Sequence, residues 1–274
     1  IGINDGLHFT GGEPFLNFDL LLKLVKIAHE SKIPSTFVET NCFWCVEDKT
    51  TKDKFLELRE AGLCGILLSV NPFILEQIPF ERIERASRIG EEIFGDNVMI
   101  YQEIFFQQMK QFMVVKNLSF EEYLQKAGGE SLFFLELLPM GRASFQLGHL
   151  YKRHPVKGFF GQSCLEELTR PWHVHIDNYG NYIAGYCGGI SLGDGRKIES
   201  LYQGIDLEDH PILKAISTDL KNLFKLGVED WGYREREEGY ISKCHLCADI
   251  RRHIAIKTDR FKELQPIEFY HHLV

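Results

Sequence analysis

Two groups of residues in this chain have the types and spacing that chemistry needs. Near the start, the run Leu7-His8-Phe9-Thr10 ends in Gly11-Gly12-Glu13-Pro14. Glycines at a strand end let backbone approach a ligand closely. The free backbone groups there can bind an ammonium or a carboxylate, and the Glu13 carboxylate can pair with an amino group. Near the other end stands Cys244-His245-Leu246-Cys247. Two thiolates at that spacing reach one metal from a single turn. Cys164 and Cys187 can complete a four-thiolate set of the kind a zinc ion or an iron–sulfur cluster takes.

Other polar residues carry weaker signals with open alternatives. Ser69 and Asn71 lie two apart on a strand and so face one side; they can bind ribose hydroxyls, or Asn71 can cap the helix that follows. Arg142, directly after Gly141, offers a planar fork to a ligand carboxylate or to Glu136. Gln102 and Glu103 stand at the end of another strand. Cys42 and Cys45 form a second CxxC, read as touching the active-site mouth or a substrate, as a redox pair or as inert thiols, and Cys64 reads as core packing. His173, His175 and Asp177 alternate along one strand, as a second metal site, a substrate acid/base group or an ordinary polar face. Trp172, Tyr179, Tyr182 and Tyr186 read as packing residues, and 234–238 as a solvated loop.

These groups need a scaffold, and the hydrophobic pattern supplies one. Residues 33–41, 65–71, 97–103 and 132–138 read as strands; 20–31, 52–61, 81–94 and 119–126 read as helices. Strands alternating with crossover helices imply an α/β fold with a parallel sheet, whose ligands sit at the strand C-terminal ends. About five strands are visible where a closed barrel needs eight, so a partial (β/α) barrel over 1–150 is expected. After a basic, glycine-bearing linker at 151–161 the alternation stops. A hairpin at 172–186 and helical patterns at 211–226 and 246–256 then predict a small cysteine-ligated α+β extension over 151–274.

Composition narrows the class. The chain has 274 residues, 44% hydrophobic and 26% charged, with a formal net charge of -8. That balance gives no electrostatic footprint for nucleic acid or an anionic membrane. No stretch has the roughly 20 apolar residues of a membrane span, and no signal-like segment opens the chain. Seven cysteines, an odd number, argue against a disulfide framework and for metal or free thiols in a reducing, cytoplasmic setting.

Thr10-Gly11-Gly12-Glu13-Pro14, between a strand and a helix, resembles the S-adenosylmethionine-binding motif of the radical SAM enzymes. The order Cys164, Gly180, Cys187 around a hairpin, followed by Cys244 and Cys247, resembles the auxiliary-cluster domain called SPASM or its shorter Twitch form. Two departures stand out. Six residues separate Gly180 from Cys187, where four are usual, and the family's CxxxCxxC is absent. The resemblance implies that Gly11, Gly12 and Glu13 hold the methionyl amino group, Ser69 and Asn71 the ribose, and Arg142 the ligand carboxylate. It implies one auxiliary [4Fe-4S] cluster on Cys164, Cys187, Cys244 and Cys247. A second cluster is expected on an N-terminal segment preceding Ile1, so this chain alone is expected to be inactive. For the full-length protein the resemblance implies reductive cleavage of S-adenosylmethionine, an electron-donor protein and a possible peptide or protein substrate. The competing classes are a zinc-stapled binding module and a non-catalytic relative.

Overall fold

The computed structural model describes residues 6–128, 139–170 and 172–274. The chain divides into two compact units, Ile1–Glu136 and Leu137–Val274.

The first unit is α/β. Its elements run β1 (Leu7–Phe9), α1 (Phe18–Glu30), β2 (Thr36–Thr40), α2 (Asp48–Glu60), β3 (Gly65–Ser69), α3 (Pro72–Leu75), α4 (Phe80–Phe94), β4 (Val98–Tyr101), α5 (Glu103–Gln111) and α6 (Phe120–Ala127). The four strands form one sheet in the order β1-β2-β3-β4. All three pairings are parallel, with Phe9 opposite Val38, Thr40 opposite Leu68, and Ser69 opposite Tyr101. Every residue of β3 is buried, as its unbroken apolar run requires. Helix α1 packs on β2, and α4 on β3 and β4. Side chains alternate across each strand, so Val38, Ile66 and Leu68 share one face. His8, Phe37, Glu39, Leu67, Ser69, Met99 and Tyr101 share the other, whose β4 end is open: Met99 is 57% exposed.

The expected helices start and stop where their caps allow. Ser119 and Glu122 form a reciprocal capping box at α6. Helix α5 has no counterpart in the sequence expectation. Gln102 adopts a left-handed conformation (φ 62°) and turns the chain out of β4 directly into it. Glu103 is therefore the first residue of a helix, where its carboxylate accepts from Gln107 Nε2 at 2.7 Å. The expected strand 132–138 lies outside the described residues.

The second unit is α+β. It contains α7 (Gly141–Gln146), α8 (Leu165–Leu168), β5 (Val174–Ile176), β6 (Tyr182–Ala184), α9 (Ile198–Leu201), α10 (Pro211–Thr218), α11 (Leu220–Trp231), α12 (Lys243–Ala255) and α13 (Ile267–His271). Strands β5 and β6 form the antiparallel hairpin. Three corrections to the expected layout follow from packing. Helix α7 packs on α12, so residues 141–150 belong to this unit rather than to the first. The segment 151–161 is core, not linker, because Val156 and Phe159 are buried in the unit's apolar cluster. The single helical pattern at 211–226 is two helices. Asp219 is extended and its carboxylate accepts from Lys221 N at 2.8 Å and Gly161 N at 2.9 Å, capping α11 and breaking α10. Among the described residues no helix is long and apolar enough to cross a membrane.

Close strand spacing makes one position sharply testable. A Cβ on Gly65 would lie 2.5 Å from the Asn97 carbonyl oxygen, which is backbone and has little freedom to move. Gly65→Ala is expected to cost about 1–3 kcal/mol in urea unfolding, as overpacking does. An unchanged midpoint would show that β3 and β4 do not meet in this register.

Candidate functional site

The C-terminal edge of the parallel sheet gathers two carboxylates with opposite tendencies. Beyond β1, Gly11 has φ 129°, which only glycine adopts readily, and a Cβ at Gly11 or Gly12 would meet no atom within 4 Å. The glycines therefore leave an open edge. Glu13 follows in extended conformation and clamps this loop to the end of β2. Its Oε1 accepts from Thr40 Oγ1 at 2.9 Å and Phe15 N at 3.2 Å, and its Oε2 from Asn41 N at 2.8 Å. Burial raises the Glu13 pKa, against the pull of the Asn41, Thr40 and Phe15 donors.

Glu39, on β2, is the neighbour that sequence reasoning left out. Thr10 Oγ1 donates to it at 2.9 Å, Ser69 Oγ donates to its other oxygen, and His8 Nε2 stands 3.4 Å away. The His8 ring, and then the two hydroxyls, hold its pKa down to about 2 in spite of burial. Glu39 is thus a fixed anion beside a carboxyl group that takes up a proton more readily, the arrangement that separates two carboxylates by role. An acid at the end of a strand, in register with hydroxyls on its neighbours, was the available signal.

Of the sequence-expected residues here, Gly11, Gly12 and Glu13 come together, and Ser69 joins them through Glu39. Asn71 acts as a cap: its Oδ1 accepts from Phe73 N at 3.1 Å and Ile74 N at 3.0 Å at the start of α3. Arg142 belongs to the second unit, as the second residue of α7.

Cys42 and Cys45 fit the inert alternative. Both are fully buried, and burial, with Cys45 and then Glu13 nearby, pushes the Cys42 thiol well up. Above them Trp44 stacks on Phe15 at 4.1 Å, and its Nε1 donates to Thr40 Oγ1 at 3.0 Å. Cys42 N donates to the same oxygen at 3.1 Å. Thr40 is therefore the hub that joins Glu13, the CxxC loop and β2.

In the second unit four cysteines from three segments share one environment. Cys164 precedes α8, Cys187 follows β6, and Cys244 and Cys247 lie in the first turns of α12, which Ser242 caps by accepting from His245 N at 3.1 Å. All four are free thiols, Cys164 and Cys247 buried and the other two partly so. Burial, then the charge of the other three, drives Cys164 up; burial, then Cys247 and Cys187, pushes Cys244 up to about 12. Cys164 thus feels all three of the others, and Cys244 feels Cys247 and Cys187. Coordination of a metal by thiols displaces their protons. Among the described residues no group of three or more His, Cys, Asp or Glu side chains is already arranged to hold a metal ion, so binding here requires the sulfurs to close in.

Around the thiols, α12 collects buried charge. Lys243 Nζ donates to Ser163 O at 3.0 Å and pairs with Glu167. Arg251 Nη1 donates to Gly188 O at 3.1 Å and Tyr270 Oη at 2.7 Å, while Tyr270 Oη donates in turn to Gly189 O. Arg236 is not in a solvated loop. Its Nη2 donates to the nearly buried Asp249 at 2.9 Å, and Tyr233 Oη donates to the same carboxylate at 2.6 Å. On the hairpin, Asp177 is occupied by its own turn, accepting from Tyr179 N, Asn181 N and Asn181 Nδ2, so it does not join His173 and His175 in a ligand set. Trp172 is 68% exposed and stacks under Arg170 rather than packing a core.

No protein-family model matches the chain, and no curated protein matches it.

Two predictions test this geometry. Thr40→Val removes one donor and one acceptor at a buried hub and strands the Trp44 and Cys42 N–H groups, which is expected to cost about 2–3 kcal/mol and to shift Trp44 fluorescence; a neutral change would mean that Thr40 joins nothing. Because the Glu39 pKa is lower folded than unfolded, its contribution is present above about 4.5 and lost as pH falls toward about 2. Glu39→Gln should lower stability at pH 7 by about 1–2 kcal/mol, the rest being screened by solvent, and should flatten the acid limb of the stability profile. Parallel acid limbs in the two proteins would contradict the assignment.

Proposed function

We propose that the full-length protein is a radical SAM enzyme: the first unit forms staves of a partial (β/α) barrel and binds S-adenosylmethionine, and the second carries one auxiliary [4Fe-4S] cluster. The observation that carries this reading is that Cys164 lies within electrostatic reach of Cys187, Cys244 and Cys247, which the resemblance groups and which lie as much as 83 residues apart in the sequence. The donor set suits the group: four thiols next to Lys243 and Arg251, whose positive charges favour an anionic cluster, with the nearby Glu167 carboxylate taken up by Lys243.

The chain's own residues would work as follows. The open edge at Gly11 and Gly12 admits the methionyl end of the ligand to backbone groups, and Glu13 receives its ammonium. A bound ammonium offsets the burial that raises the Glu13 pKa, so binding favours the ionised carboxylate. Ser69, already donating to Glu39, keeps lone pairs for a ribose hydroxyl, and the carboxamide nitrogen of Asn71 is the part of that side chain left to donate. The cluster expected on an N-terminal segment would supply the electron for reductive cleavage of the sulfonium, and the auxiliary one, held by Cys164, Cys187, Cys244 and Cys247, would accept an electron or bind substrate. An electron-donor protein and a peptide substrate complete the proposal, in the cytoplasm, where thiols stay reduced.

The test uses the full-length protein, prepared without oxygen. It is expected to bind S-adenosylmethionine and, once reduced, to release 5′-deoxyadenosine. Glu13→Gln should raise the dissociation constant at least about tenfold, or about 1.4 kcal/mol, with the melting temperature recorded to separate binding from folding. A cluster-loaded protein that neither binds nor cleaves the ligand would overturn the reading.

A further inference from the structure

Arg251 is 4% exposed, and its immediate partners are neutral. Nη1 donates to a carbonyl, Gly188 O, and to a hydroxyl, Tyr270 Oη. Nε is buried without a hydrogen-bond partner. Among the described residues no carboxylate pairs with this guanidinium, and the groups that favour its charge are Tyr270, Cys247 and Cys187. Two other cations of the unit are paired, Arg236 with Asp249 and Lys243 with Glu167, and neither is as deeply buried as Arg251. A buried charge without a counter-charge costs several kcal/mol, so a guanidinium placed like this implies an anion nearby.

The position of Arg251 says which anion. It lies four residues after Cys247 on α12 and so on the same face, one turn along. Gly188, whose carbonyl it holds, directly follows Cys187. As thiols those two cysteines are neutral; as ligands of a metal or cluster they are thiolates.

We propose that Arg251 is the built-in counter-cation of the four-cysteine site, with its free Nε donating to a sulfur there, and that it thereby raises the reduction potential of the cluster. This rests on the cluster assignment made above. In the redox step one electron from a low-potential donor enters the cluster and no proton moves, because arginine stays protonated on both sides. The reduced cluster carries one more negative charge, so a fixed neighbouring cation stabilises it over the oxidised form. Arg251 is a positioning and tuning residue: it also ties the Cys187 loop to α12.

The experiment is an anaerobic dithionite titration followed by electron paramagnetic resonance, with iron and sulfide measured on each protein. Arg251→Gln should lower the reduction equilibrium constant at least tenfold, about 59 mV for one electron, while Arg251→Lys, which keeps the charge, should shift it less. Equal potentials in wild type and Arg251→Gln, both with full clusters, would overturn the proposal. If Arg251→Gln loses the cluster, the wild type decides. Protein labelled with ¹⁵N-arginine should show a nitrogen hyperfine coupling to the reduced cluster that disappears in Arg251→Lys, and no such coupling would refute the contact. Wild-type protein that takes up no iron would instead refute the cluster assignment, and this proposal with it.

Discussion

Asp249 and Arg251 stand two residues apart on α12, both nearly buried, in different surroundings. Asp249 is satisfied: it accepts from Tyr233 and Arg236, and that pairing draws the 232–240 segment onto the helix. Arg251 holds Gly188 and Tyr270, and so fixes the loop that carries Cys187 and the helix that ends the chain. Gly188 and Gly189 permit this because Phe269 and Tyr270 press on them where any Cβ would stand, within 3 Å. The requirement that a buried charge be compensated therefore organises the second unit. One helix supplies two of the four thiols, the carboxylate that anchors one flank and the cation that anchors the other.

The first unit meets a related requirement at its sheet edge. Parallel strands end with unpaired backbone groups, and here side chains from neighbouring strands tie them together. Glu13 bridges β1 to β2 through Thr40 and Asn41, and Glu39 bridges all of β1, β2 and β3 through Thr10 and Ser69. The same bonds pull the two carboxylates apart in acidity, because Glu39 receives hydroxyls and an imidazole while burial prevails at Glu13. A ligand ammonium would complete Glu13 in the way that a cluster would complete Arg251.

Much of the scaffold was legible. The strands and main helices follow apolar periodicity, and Ser119 and Glu122 announce a capping box. The failures were local competitions that periodicity does not record. Asp219 captured two backbone N–H groups and broke a continuous helical pattern. Gln102 took a left-handed conformation and started a helix where a strand end was expected. The basic segment at 151–161 hid two core residues, Val156 and Phe159. Of the candidate site residues, the glycines, Glu13 and the cysteines stand out in the sequence by type and spacing. Glu39 and Arg251 do not, because a single acid in a strand and a single arginine in a helix gain meaning only from what tertiary packing sets beside them.

The central claim is that Cys164, Cys187, Cys244 and Cys247 together hold an anionic iron–sulfur cluster. Metal and sulfide analysis of protein purified without oxygen, with its visible spectrum, addresses this most directly. The account predicts about four iron and four sulfide bound at these cysteines, with a broad brown absorption, and their loss when Cys164 and Cys247 are replaced by serine. Zinc alone in a colourless protein would contradict it and leave a zinc-stapled module in its place.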